Sequence, residues 1–428
     1  MHSTKIKLCF LGWLISLCPL LHGQTDVYLK IYDKTFQRME IDLYPLIGET
    51  MGRRSEILSG LITEVISNDL WMSGFFKVNL RAGRPRFAAA NDGASSRALA
   101  VLSGHFRFQG NKLTIQPILQ DRVSGRTILK NDYTDNLDNQ RYLIHKISDD
   151  IVYSLTGENG IARTKIAFVS QQRNNVKEIA MMDYDGYNVQ KLTRDQSINL
   201  SPAWSPDGSK ICFTSYKKQQ PFLFEYSLLT RTDRQISNHV GLNSSPAWSP
   251  DGRKIAFTVS KDGNAELYTL DLVSHEFRRL TFNRAIDSSP SWSPSNREMA
   301  FISDRAGTPQ IYIMDSDGAN TRRLTFEGSY NASPSWSPRG DKIAFVSRTD
   351  SGFDIYTIDV TGENSMRLTD SSGSNEDPSW SPNGYALIFS SNRSGKRELY
   401  SMFWDGSDQK RISKGGIFYS PAWSPRAN

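Results

Sequence analysis

The side chains best suited to chemistry are few in this chain, and their spacing serves none of the common reaction types. His105 and His145 lie far apart, and neither has a carboxylate or second histidine at metal-ligand spacing, so each reads as a surface or internally satisfied histidine. The repeat-bearing C-terminal region adds only His239 and His275, the latter in a variable outer-strand position. No glycine-rich loop that could cradle phosphate is present, and no Gly-x-Ser-x-Gly elbow that could expose a nucleophilic serine. Asp287, Glu376 and Asp377 could face a polar channel and hold a cation there, although channel carboxylates are more often simply hydrated. No catalytic, cofactor or metal residue is therefore expected.

What must position these residues is a repeat. Trp204, Trp248, Trp292, Trp336, Trp380 and Trp423 each sit in a PxWSP segment, spaced by 44 residues four times and finally by 43. A period of that length is the signature of propeller blades. Behind each tryptophan but the last comes an apolar run such as Ile255–Phe257, and then an alternating strand such as Glu266–Asp271. A short final strand ends in Leu-Thr or a close variant, giving four strands per period. Asp-Gly pairs at 185–186, 317–318 and 405–406 mark hairpin turns, because glycine accepts positive φ without cost. A tryptophan at such a position buries roughly 150–250 Å², worth about 4–6 kcal/mol gross. Trp204 and Asp207 are accordingly read as structural.

Three strands precede the first tryptophan (around 166–168, 178–183 and 192–193), and one tryptophan strand stands alone at the other end. The two orphans make one blade. A strand over 420–425 paired with the 165–194 strands closes a six-bladed ring without free edges.

The expected domains are a signal segment over 1–23, a small α/β domain over 24–160 and the propeller over 161–428. Lys5 and Lys7 followed by the apolar run Leu8–Leu21 read as a secretory signal cleaved near Gly23, leaving no membrane span. Two of the three cysteines fall in that segment, so Cys212 is alone in the mature chain and no intramolecular disulfide can form. Without Lys5 and Lys7, 49 basic residues face 45 acidic ones, a surplus of +4 that argues little for nucleic acid.

In the α/β domain, a strand is expected at Val27–Tyr32 and a helix at Ser55–Trp71 with Ile57, Leu61, Ile62, Val65 and Leu70 inward. Further strands are expected at Phe75–Leu80, Ala98–Phe108, Lys112–Leu119 and Thr127–Tyr133. A closing helix over Asp138–Leu155 ends at Gly157.

The order of these parts, the joining stretch Ser148–Gly157 leading through Arg163–Val169, the run Asp183–Asn188 and the six PxWSP blades together resemble the TolB family of Gram-negative envelope proteins. The resemblance is strongest from about 148 to 428. It implies a monomeric, non-enzymatic periplasmic scaffold of the Tol–Pal system, supporting outer-membrane integrity and cell division. It further implies that one propeller face binds the peptidoglycan-associated lipoprotein Pal, that the N-terminal segment communicates with TolA, and that outer-membrane proteins are a further class of partner.

By that resemblance the Pal-facing residues are those just ahead of the tryptophan strands: Asn199, Leu200, Leu242, Asn243, Ser244, Ser245, Asp287, Ser288, Tyr330, Asn331, Asn375, Glu376, Phe418 and Tyr419. This chain has Leu242 where family members carry a histidine, so polar contact at that spot is not implied. The TolA segment is Asp26, Val27, Tyr28, Leu29, Lys30 and Ile31, whose alternation suits either a strand that leaves its domain to pair with TolA or a docked edge strand. Two rival readings share the fold: a propeller of another envelope assembly, and a propeller hydrolase or lyase.

Overall fold

The computed structural model describes residues 38–83, 97–172, 175–370 and 372–426. The signal segment and the Asp26–Ile31 strand lie outside the described residues. The chain from Arg38 onward forms one compact unit holding a mixed sheet with two helices and a ring of six four-stranded sheets.

The mixed sheet contains β1 (Met39–Leu43), β2 (Ile47–Gly48), β3 (Phe76–Leu80), β4 (Ala100–Gln109), β5 (Lys112–Asp121), β6 (Thr127–Lys130) and β7 (Tyr133–Asn136). Its order is β3-β1-β4-β5-β6, with β2 on β4 and β7 on β5. The expected single strand over 127–133 is two, because the chain breaks at Asn131–Asp132 and β7 pairs farther along β5 than β6 does.

Helix α1 spans Arg53–Met72 and α2 spans Gln140–Thr156, the latter closed by Gly157 at φ 73°, whose N–H donates to the Tyr153 carbonyl. The buried stripe of α1 is Leu58, Ile62, Val65, Ile66 and Leu70. Ile57, placed inward by the periodicity, is 65% exposed. The stripe is rotated because the helix packs against α2 as well as against the sheet.

Each propeller blade meets the next through its tryptophan. Trp204 donates its indole N–H to the Ala422 carbonyl at 3.0 Å, Trp292 to Ala247 at 3.1 Å and Trp380 to Ser335 at 3.0 Å, each acceptor lying in the inner strand of the preceding blade. The serine after each tryptophan shapes the turn that follows. Ser205 Oγ accepts from Lys210 N at 2.9 Å and bonds Asp207, which is why the motif reads WSPDG.

The first blade is assembled from both ends of the ring: β8 (Lys165–Gln171), β9 (Lys177–Asp183), β10 (Gln190–Lys191) and the last strand, Phe418–Trp423. That strand pairs antiparallel with β8, and Trp423 donates to Thr164 Oγ1 at 2.8 Å, so the ring is closed.

The inner strands carry a feature that the repeat alone does not announce. Ser201, Ser245, Ser289, Ser333, Asp377 and Ser420, each directly before a proline, all have positive φ between 44° and 56°. The pairing register shifts at every one of them. This sixfold bulge bends each inner strand and turns its first half out of regular pairing.

Candidate functional site

The four strands of a blade alternate in direction, so the loops ahead of the tryptophan strands share one face of the ring with the loops joining second to third strands. The opposite face carries the WSP turns and the Asp-Gly hairpins. The α/β domain stands on this second face, where Ser73, Gly74 and Trp71 meet Asn383, Tyr385 and Phe403. Among the described residues, none of the α/β domain lies on the first face.

Each rim loop on that first face starts from a buried hydroxyl. Thr193, Thr281, Thr325, Thr369 and Ser413 accept a backbone N–H near the start of the third strand, from Ile179, Leu267, Ile311, Ile355 and Leu399 respectively, at 2.8–3.0 Å, so the short outer strand ends at the same point in five blades. The loop then re-enters the ring through an amide or carboxylate side chain. Asn199 donates to Glu178, Asp195 and the Lys177 carbonyl; Asn331 donates to Gln310 and the Glu327 carbonyl; Asn375 donates to Asp354.

This network revises the sequence reading of the face. Asn199, Asn243, Asp287, Asn331 and Asn375 are at most 1% exposed, and Phe418, packed edge-on against Phe168, is 8% exposed. These six hold the loops in place and present no surface to a partner. Leu200, Leu242, Ser244, Ser245, Ser288, Tyr330, Glu376 and Tyr419 are half-buried and line the inner rim.

The channel acids also differ from hydrated carboxylates. Asp287 is buried and bound by Arg305 at 2.9 Å and Asn283 at 2.6 Å; Glu376 is paired with Arg397 at 2.7 Å. Asp377, half-buried at the channel wall, accepts from Ser420 Oγ and N at 3.1 and 3.2 Å, and burial pushes its pKa up.

The exposed aromatics on this face were not singled out by the sequence reading. Phe282 is 73% exposed and Phe326 71%, at equivalent positions of neighbouring blades in the runs Arg-Arg-Leu-Thr-Phe. Below each ring lies an arginine, Arg279 at 4.8 Å and Arg323 at 4.9 Å, itself fixed by a bond from Nε to the Thr281 or Thr325 carbonyl. Ile286 at 52%, on the Phe282 loop, and Val240 at 78%, on the neighbouring rim loop, extend the apolar surface. The other blades place Arg194, Asn238, Asp370 and Lys414 at the phenylalanine position. The signal that could have found the pair was that contrast: an aromatic where the sister repeats are polar.

A second gathering lies under the ring. Among the described residues, Asp69, His145 and Asp185 are the three metal-type side chains whose ligand atoms come within 4.8 Å of one another. Both Asp69 oxygens are already engaged, by His145 at 2.8 Å and Tyr184 at 2.5 Å, and Asp185 is bound by Arg141. With a guanidinium seated on one carboxylate, the group is an ion-pair network and not a cation cage. His145 is therefore a buried, partnered histidine whose carboxylates come from residues distant in sequence.

Together these features define a closed six-bladed propeller whose inner strands are nearly identical and whose rim loops are individual, standing on a small α/β domain. The chain belongs to the TolB family: the model described as TolB beta propeller domain matches residues 152–427. Among curated relatives it is 46% identical to the Tol-Pal system protein TolB of Geobacter sulfurreducens over 209 residues, 46% of this chain and 47% of that protein. It is 35% identical to the Tol-Pal system protein TolB of Legionella pneumophila strain Corby over 188 residues, 42% of this chain and 44% of that protein. The chain thus spans about half the length of the curated relatives it matches. The crystal structure of TolB from Acinetobacter baumannii superposes with a TM-score of 0.78 at 28% identity, over 91% of this chain and 98% of that one. No helix among the described residues is long and apolar enough to cross a membrane.

Proposed function

We propose that this chain is a non-enzymatic component of a Tol–Pal envelope system, acting in the periplasm, that binds the lipoprotein Pal on the rim face of its propeller. In this reading the segment Asp26–Ile31 addresses TolA, and domain limits near 23 and 160 separate that segment and the α/β domain from the propeller. Family membership supports the system. The observation that supports the face is the pair Phe282 and Phe326, each stacked over a hydrogen-bonded arginine and left in water on the side of the ring that the described α/β residues do not cover. Exposed aromatics and arginines are enriched at protein interfaces, and an aromatic ring loses little conformational entropy on contact. Tyr330 lies on the Phe326 loop and Leu242 on the neighbouring rim loop, and they extend the contact toward the channel.

Titration calorimetry with the chain lacking residues 1–23 and Pal from the same organism tests this. Tyr330→Arg and Phe326→Arg are each expected to weaken the complex at least about tenfold, which is roughly 1.4 kcal/mol, with an unchanged unfolding midpoint. No complex at tens of micromolar overturns the Pal assignment, and a complex indifferent to both substitutions overturns the face. Removing Asp26–Ile31 is expected to abolish TolA capture and spare Pal binding.

A further inference from the structure

We propose that Asp69, Arg141, His145, Tyr184 and Asp185 form a proton-dependent latch that holds the α/β domain against the first blade: closed while His145 carries two protons, loosened when it loses one. Asp69 comes from α1 and Arg141 and His145 from α2, whereas Tyr184 and Asp185 sit in the turn between β9 and β10 of the propeller; the Tyr184–Asp69 and Arg141–Asp185 bonds cross the junction, and the His145–Asp69 bond holds the carboxylate that Tyr184 meets.

The hydrogen positions dictated by this geometry carry the proposal. His145 Nδ1 lies 2.8 Å from Asp69 Oδ2, and on the opposite side of the ring Nε2 points toward Asp185 Oδ2 at 3.7 Å. The ring is 3% exposed, and Nε2 has no hydrogen-bond partner. A neutral imidazole that donates from Nδ1 turns a bare lone pair toward a buried carboxylate. A neutral ring protonated at Nε2 instead sets its Nδ1 lone pair against Asp69. Only the imidazolium offers an N–H to both carboxylates.

Charge balance gives the same answer. Asp69, Asp185 and Arg141 sum to one negative charge, which a protonated His145 cancels, and an unbalanced buried charge is costly. The other charged groups around the cluster are already answered: Asp149 by Arg163 at 2.8 Å and the Ala162 N–H, Asp183 by Lys165 at 2.7 Å. Tyr184 donates to Asp69, and the Tyr187 ring covers Arg141 at 3.6 Å.

Burial alone would lower the pKa of His145, but the Asp69 and Asp185 charges outweigh it and hold it above the ordinary value. Burial likewise raises Asp185. Closing the junction therefore takes up protons. For His145 the contribution is fully present below the free-histidine value of about 6.5 and fades as pH rises through the raised value. A second footing, Trp71 on Phe403 and Phe75 on Tyr385, does not titrate in this range, so an open latch loosens the domain without releasing it.

Hydrogen exchange on the chain lacking residues 1–23 tests the latch without reference to any partner. After correction for intrinsic base catalysis, amides of 141–149 and 183–187 are expected to exchange about tenfold faster at about pH 9 than at about pH 6, while blades three to five stay unchanged. Flat protection at the junction overturns the proposal. His145→Gln should remove the pH dependence, and a variant that keeps it is equally contrary. If that variant fails to fold, NMR titration of the His145 ring in the unaltered chain decides: a doubly protonated ring at neutral pH supports the latch, and a neutral ring contradicts it.

Discussion

The seams between blades and the junction under the first blade hold the molecule together by opposite means. At the seams, tryptophan and aliphatic side chains repeat six times, and at Trp204, Trp292, Trp380 and Trp423 an indole N–H adds direction. At the junction, charged side chains from two helices and one turn meet once among the described residues, nearly dry. A seam resists change because its energy is apolar area and is spread over many contacts. The junction depends on which groups carry protons and can be altered by one of them. The ring is thus built from insensitive interactions, whereas the contact between the domains adds a sensitive network to its apolar footing of Trp71 on Phe403 and Phe75 on Tyr385.

Substitutions can break this contrast in order of size. Trp292→Ala, which removes the indole and its bond to Ala247 from a site 8% exposed, is expected to cost about 3–5 kcal/mol in denaturant unfolding. That loss should be independent of pH; a loss that varied with pH would blur the distinction. Asp69→Asn, which keeps shape but removes the charge facing His145, should cost on the order of 2 kcal/mol near neutral pH. The cost should shrink at higher pH, where His145 is neutral in either protein, and urea titrations across that range would show it.

Gly186→Ala probes the turn that carries Asp185. Gly186 has φ 92°, and an added Cβ would meet the Ile412 carbonyl at 2.3 Å. A loss of roughly 1–3 kcal/mol is expected, together with weaker protection of the Tyr184–Asp185 turn. Phe282→Ser is the smallest in stability, within about 0.5 kcal/mol, because the ring is in water already; a large destabilisation would mean that the rim aromatic belongs to the scaffold.

What could be read from the sequence follows the same divide. The seams were legible because a 44-residue period forces the same residue types to recur, and closure of the ring followed from an orphan tryptophan strand at one end and three orphan strands at the other. The junction was not legible, since Asp69, His145 and Asp185 share no spacing and meet only through packing. The face was legible in part. Polar residues ahead of each tryptophan looked like open loop, yet Asn199, Asn331 and Asn375 are buried because a re-entering chain needs an internal amide to satisfy it. Leu242 and Tyr330 lie half-buried at the rim, whereas Phe282 and Phe326, just after the Leu-Thr that ends the outer strand, carried no repeat signal of their own. The sixfold positive φ before proline escaped notice because five serines and one aspartate give no sign of it.

The most direct test of the rim face as a docking surface is a hydrogen-exchange footprint of Pal on the chain lacking residues 1–23. Protection confined to the loops 194–200, 238–245, 282–288 and 326–331, with the WSP turns at 205–209, 249–253 and 293–297 unaffected, is the expected pattern. Protection of those turns, or of the α/β domain alone, would place the partner on the opposite side of the ring and contradict the assignment.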